Sequence, residues 1–235
     1  MLQSPDGSPP FVSDATECAV GTSPASTFKI PHALIALETG VVSDAFDLVA
    51  WDGSDQPFEV WRREHSLDSA IESSVVWFFR RTAGLIGRDR MLEHLTSFAY
   101  SADSFDDDVT SFWLNGDLVV SPAEQLRFLQ RLVRYELPVD RRHVEVVESA
   151  LLMPAGTITN AAGTFAFALA WPGAPLVRAK TGYTTVGGEH VSWLVGSIET
   201  GERPYVFVSR VRTSQDLPGS AGIDLALGVL NEHAP

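Results

Sequence analysis

The apolar pattern of this chain changes period once, near Thr157, and that change restricts the architecture more than any other feature. Upstream the spacing is helical. From Ser26 the apolar positions Phe28, Ile30, Ala33, Leu34 and Leu37 fall on one helix face, and Gly40 supplies a stop. "DSAIESSVVWFFRRTAG" predicts a second helix ending at Gly84, and "RDRMLEHLTSFA" a third. In "SPAEQLRFLQRLVR" Ser121 as N-cap, Pro122 at the first helical position and Glu124 two residues on form a capping box, and "RRHVEVVESALL" predicts a further helix. Downstream, "TFAFALAW", "LVRAKTGY", "HVSWLVGSIET" and "PYVFVSRVR" are alternating or continuous apolar runs. The breaks "PGAP", "TTVGGE" and "TGER" separate them, which predicts antiparallel strands joined by hairpins. "GIDLALGVLNE" predicts a closing helix. The fold class is therefore α+β: an antiparallel sheet flanked by helices, plus a mostly helical lobe. Residues 1 to about 22 are rich in Pro, Ser, Gly and Asp, with only "PFVS" resembling a strand, and read as a loose lead-in.

Composition narrows the function by exclusion. A chain of 235 residues suits one large domain or two lobes sharing a core. A net charge of -13 disfavours nucleic acid or an anionic membrane as partner, and no apolar run is long enough to span a bilayer. The N-terminus carries no recognisable export signal, and the single Cys18 cannot form an internal disulfide. Six histidines show no ligand spacing, and there is no His-Glu-x-x-His, cysteine pair, glycine-rich phosphate cradle or Gly-x-Ser-x-Gly elbow.

The lysines point the other way. There are two of them against 15 arginines. Lys29 follows Ser26 by three residues, so on a helix its amine reaches the serine hydroxyl across one turn. A serine needs a base to act as a nucleophile, and a lysine becomes one when burial disfavours its charge, which a guanidinium cannot do. A helix N-terminus at Ser26 also offers backbone N–H groups to an oxyanion. The second lysine, Lys180, opens a Lys-Thr-Gly triplet in "RAKTGYTT", near a strand end. Ser-x-x-Lys and Lys-Thr-Gly are the two motifs of the penicillin-recognising serine acyltransferases.

The run "STFKIPHALIALETGVV", "WDG", "SVVW", "FWLNGDLVVSPAEQLRFL" and "KTGY", in that order, closely resembles the class D (oxacillinase-type) serine β-lactamases and the related sensor domains of β-lactam receptors. The resemblance covers roughly residues 15 to 232 and implies a β-lactamase/transpeptidase-like fold. It implies one domain over 1–235, with a helical lobe at roughly 40–155 against a sheet lobe formed mainly by 157–235. It implies Ser26 as the acylated nucleophile, Lys29 as a lysine N-carboxylated by CO₂ or bicarbonate, and Ser74 as the proton relay to the leaving nitrogen. Val76 and Trp113 would wall in the carbamate. Lys180, Thr181 and Gly182 would line the substrate strand, and the N–H groups of Ser26 and Tyr183 would form the oxyanion hole. No other cofactor and no metal is implied. The partner is a small β-lactam, hydrolysed through an acyl-enzyme in the periplasm or outside the cell; nothing specifies an oligomeric state. Two alternatives share the motifs: a sensor that stays acylated, and a peptidase acting on D-Ala-D-Ala peptides. Two departures stand out. The Tyr-Gly-Asn of the family's site lip corresponds to Tyr100, Ser101 and Ala102, and "DLPGSAGIDL" lacks the arginine that meets the substrate carboxylate. Lys180, Thr181, Ser74 or His190 would then hold that anion. With one strand-like segment before Ser26, the chain reads as truncated at its start, an upstream strand pair being expected in a longer form.

Overall fold

Three long strands give the molecule its frame, and their residues explain why both faces of the sheet are covered. The computed structural model describes residues 1–100, 105, 108–201 and 203–235. Strands β4 (Leu176–Val186), β5 (Glu189–Glu199) and β6 (Tyr205–Thr213) form an antiparallel meander, and β1 (Leu2–Gln3) completes the order β1-β6-β5-β4. Along β5 the side chains alternate: Val191, Trp193 and Val195 join the core shared with the helical lobe, while Leu194 and Ile198 join a second core. That second core contains α9 (Ala221–Glu232), with Ile223, Ala226 and Leu230 turned inward. The helical lobe comprises α2 (Lys29–Glu38), α3 (Leu67–Glu72), α4 (Val76–Ile86), α5 (Arg88–Ser97), α6 (Phe112–Asn115), α7 (Pro122–Val133) and α8 (Arg141–Ala150). The capping box at Ser121 is present: its side chain accepts from the Glu124 N–H, and Glu124 accepts from the Ser121 N–H at 2.8 Å.

Three expectations are corrected. The single helix over "DSAIESSVVWFFRRTAG" is two helices, α3 and α4, separated at Ser73–Ser74–Val75. Ser74 has φ 55°, a left-handed conformation that no helix continues through. Trp61 holds the break from outside, its indole N–H donating to the Ser73 carbonyl at 2.8 Å. The run "TFAFALAW" does not enter the main sheet: Gly163–Ala166 (β3) pairs with Thr157–Asn160 (β2) in a separate hairpin. The lead-in is ordered structure. Leu2 and Gln3 pair with Phe207 and Val206, Phe11 bridges to Leu2, and α1 (Ala15–Ala19) brings Glu17 to Arg210 and Arg212.

Two glycines of α9 have opposite meanings. A Cβ on Gly222 would lie 2.7 Å from the Trp193 backbone carbon and 3.0 Å from the Ser192 carbonyl oxygen, so the helix meets β5 only because that side chain is missing. A Cβ on Gly228 meets nothing within 4 Å. Gly222→Ala is expected to cost about 1–3 kcal/mol through overpacking, whereas Gly228→Ala should gain about 0.5–1 kcal/mol from helix propensity. Thermal unfolding should move in opposite directions, by about 2–4 °C per kcal/mol.

Candidate active site

The segment Thr22–Leu37 is buried at every position except Ser26, which is half-exposed. Neighbouring elements force this. Thr22 exchanges backbone bonds with Val120, at 3.1 and 2.8 Å, ahead of α7. The Ser23 hydroxyl donates to the Trp113 carbonyl at 2.8 Å, and the Trp193 indole of β5 donates to the Ser23 carbonyl at 3.0 Å. Thr27 donates to the Pro24 carbonyl and receives the Gln125 amide of α7, each at 2.7 Å. Clamped in this way, Ala25–Phe28 forms a 3₁₀ turn leading straight into α2, and Ala25 is driven to φ 47°. Of the five described non-glycine residues with left-handed backbone, two belong to the expected site: Ala25 precedes Ser26, and Ser74 is one itself, while Ala99, Tyr135 and Ala174 lie in other turns. Such backbone persists where its surroundings over-determine it, and it concentrates at functional sites.

Lys29 lies one turn beyond Ser26, with 1% of its surface exposed, and its Nζ donates to Ser26 Oγ across 2.7 Å. The same Nζ sits 5.3 Å from the centre of the Phe79 ring. Burial, and then the charge of Lys180, hold the Lys29 amine well below the ordinary lysine range. With the amine neutral, the 2.7 Å pair runs in reverse: Ser26 donates its proton to the lone pair of Nζ. Around this amine Phe28 stacks on Trp113 at 5.5 Å, and His32 meets Trp113 and Phe79 edge-on at 5.5 and 5.0 Å. His32 bonds Thr82 Oγ1 through Nε2 at 3.1 Å, and Thr82 passes its own proton to the Phe79 carbonyl. Burial followed by the charge of Lys29 depresses the His32 pKa to about 3. Trp113 Nε1 and His32 Nδ1 are buried without a hydrogen-bond partner among the described residues.

The opposite wall is β4, the edge strand of the sheet. Its outer edge is closed first by the chain after α8: Met153 N–H donates to the Val177 carbonyl at 2.8 Å, and Ala179 N–H donates to the Leu151 carbonyl at 2.9 Å. Alternation along a strand then turns the backbone groups of Thr181 and Tyr183 to the same edge, beyond that closing segment. A Cβ on Gly182 would stand 3.0 Å from the Pro24 carbonyl oxygen and 3.1 Å from Thr27 Cγ2, so glycine lets β4 press against the nucleophile turn. Lys180 is as buried as Lys29, its Nζ donates weakly to the Thr181 carbonyl at 3.4 Å, and burial pulls its pKa down to about 7.

The remaining expected site residues are distributed less evenly. Ser74 lies in the strained link between α3 and α4, and Val76, the first residue of α4, is half-buried against the main core. Tyr100 is not at a lip. Only 1% exposed, it packs between Phe28 and Phe128 at 6.0 and 5.0 Å and supports the nucleophile turn from inside. Ser101 and Ala102 lie outside the described residues. His190 pairs in register with Thr185 and is bonded through Nδ1 to Tyr183 Oη at 3.0 Å and Thr185 Oγ1 at 3.1 Å. Sequence reasoning missed Phe79, His32, Gln125 and Asn160. The last of these donates from Nδ2 to Thr181 Oγ1 at 3.3 Å. A histidine three residues beyond Lys29 was the one readable signal.

Comparison with known proteins agrees with this geometry. Residues 10–230 match the penicillin-binding protein transpeptidase domain. The chain is 35% identical to β-lactamase OXA-48 of Klebsiella pneumoniae over 89% of its own length and 71% of that protein. Its fold is similar to the class D β-lactamase YbXI from Nostoc, with TM-score 0.86 and 27% identity over 100% of this chain and 92% of that one. It is also similar to the C-terminal domain of the Bacillus licheniformis BlaR penicillin receptor, with TM-score 0.81 and 26% identity over 94% and 83%. The matched span takes in the clamped turn with its buried lysine and the Lys-Thr-Gly edge strand, and the chain belongs to the penicillin-binding protein transpeptidase family, among its class D serine β-lactamases.

Proposed function

We propose that the protein hydrolyses β-lactams through an acyl-enzyme on Ser26, with Lys29 as general base in its N-carboxylated form. The observation that carries this reading is the 2.7 Å approach of a desolvated amine to the one accessible residue of a buried turn. The amine is neutral enough to react with CO₂, and the buried Trp113 indole N–H, which lacks an acceptor among the described residues, fits a new acceptor beside it. Carboxylation supplies a side-chain base with two oxygens and a longer reach than the amine. Ser26 gives its proton to the Lys29 side chain and attacks the strained amide carbonyl. The backbone N–H groups of Ser26 and Tyr183 receive the oxyanion, and the Ser74 hydroxyl delivers a proton to the leaving nitrogen. Lys180 and Thr181 hold the substrate carboxylate. Water, activated by Lys29, then releases the product. Membership among the class D β-lactamases supports action outside the cytoplasm, and among the described residues no helix is long and apolar enough to cross a membrane.

A second reading, a receptor that stays acylated, is supported by the likeness to the BlaR domain. Intact-mass measurements after mixing with a penicillin separate the two: loss of the adduct within seconds to minutes supports the enzyme, and persistence over hours supports the receptor.

Ser26→Ala should abolish covalent labelling by a fluorescent penicillin. Stoichiometric labelling of that variant would sink the assignment. Because the folded pKa of Lys29 is lowered, its neutral form survives well below the ordinary lysine range, and activity should be lost only as acid protonates the amine and CO₂ leaves. Added bicarbonate should restore the acid limb of the rate profile. Trp113→Phe keeps the ring stack but removes the donor, so it should raise the bicarbonate concentration needed for half-maximal rate by about 10-fold, the worth of one hydrogen bond to a charged group. A wild-type enzyme indifferent to bicarbonate would instead indicate a free amine base.

A further inference from the structure

The hairpin β2–β3 stands outside the main sheet, yet its tip touches the substrate strand. Ile158 anchors it in the core under α9 with no exposed surface, and Asn160 ends β2 beside Thr181. Two bonds define the Asn160 amide. Its Oδ1 accepts from the Ala162 N–H at 2.8 Å, closing the turn at the hairpin tip, so the atom facing Thr181 is the NH₂ group. That group donates to Thr181 Oγ1 at 3.3 Å. Thr181 is therefore an acceptor toward Asn160, and its own hydroxyl proton has no acceptor among the described residues. Thr181 is 7% exposed, immediately precedes the glycine that presses on the nucleophile turn, and immediately follows Lys180.

We propose that Asn160 is a positioning residue for substrate binding: by donating to Thr181 Oγ1 it turns the threonine hydroxyl outward, so that its proton is offered to the carboxylate of a bound β-lactam. The assignment rests on the reading of Ser26 as a β-lactam nucleophile. It accounts for anion recognition in a chain whose "DLPGSAGIDL" segment contributes no arginine. His190, another candidate for this anion, is turned through Nδ1 toward Tyr183 and Thr185. A free threonine rotor divides its proton between competing acceptors, whereas one receiving a fixed amide is preorganised for the incoming anion.

Asn160→Asp tests this directly, because it keeps an oxygen for the Ala162 N–H while replacing the donor with an acceptor that both captures the Thr181 proton and repels the substrate anion. The acylation efficiency of Ser26 is measured with a penicillin bearing a free carboxylate and with its methyl ester, alongside thermal unfolding. The expected result is a loss of about 10-fold or more with the free acid, carried by weaker binding rather than by the acylation rate constant, with the ester within about twofold of wild type. In a Thr181→Val background the same substitution should cost less, because only its direct repulsion of the anion remains. Equal losses on acid and ester, or no loss on either, would overturn the assignment. Asn160→Ser is the rescue variant: a short donor-acceptor hydroxyl should recover part of the lost discrimination, and no recovery together with a lowered unfolding temperature would assign Asn160 to hairpin stability instead. If wild-type protein takes up no label from the free acid, the reading of Ser26 falls and the Asn160 assignment with it. Labelled wild type with an indifferent Asn160→Asp refutes the assignment alone.

Discussion

The constraint on which the structure depends is an amine held out of water with no carboxylate among the described residues to neutralise it. Lys29 has a hydroxyl at 2.7 Å and an aromatic face at 5.3 Å, and its nearest formal charge is another buried lysine. Burying an ammonium in this way is unfavourable, and it pulls the pKa of the group well below the ordinary lysine range. The rest of the chain handles positive charge differently. Arg62, Arg141 and Arg142 make exposed ion pairs, and Arg210 and Arg212 share Glu17. These permanent cations sit beside counter-ions, whereas neither lysine has an ion-pair partner among the described residues.

Such a site has to be built from both halves of the molecule. The helical lobe supplies Phe79 against the amine and the packed rings of Phe28, His32 and Trp113 beside it, which bury the Lys29 helix start. The sheet supplies Trp193 to the Ser23 carbonyl and the side-chain-free face of Gly182 to the turn itself. His32 contributes by staying neutral: with a pKa near 3 it adds no charge beside the amine across any ordinary range of pH. Acid sensitivity of the base therefore belongs to the lysines.

Much of this was legible in the chain because local signals and tertiary demands coincide. The Ser121 capping box and the Ser26–Lys29 turn each have a local physical cause and stand where they were expected, whereas Lys180–Gly182 lie in mid-strand because β4 runs on to Val186 and the hairpin turns only at Gly187–Gly188. Failures occurred where tertiary contacts override a local pattern. "DSAIESSVVWFF" has unbroken helical spacing, but Trp61 and the backbone bond from Val75 to Ala70 impose a break at Ser74. "TFAFALAW" has strand periodicity, yet Phe167 and Trp171 go to the second core outside any strand. Tyr100 was expected at a lip because the resemblance fixed its place along the chain; its burial depends on Phe28 and Phe128, which are far from it in sequence. Asn160 carries no signal at all, since an amide in a turn is ordinary and its partner is 21 residues away.

The Gly182 contact has a mechanical consequence. Strand and nucleophile turn are already at van der Waals distance, and backbone and side-chain bonds tie the turn to α6, α7 and β5 together. Among the described residues, strand and turn are therefore set against one another before a guest arrives. The floor of the site is a preset slot beside Ser26, and a guest meets it as a key meets a lock whose pins are already set. Selectivity in such a slot is decided at its rim, by whatever side chains border the entrance, and the loops there can diversify without disturbing the chemistry at its floor.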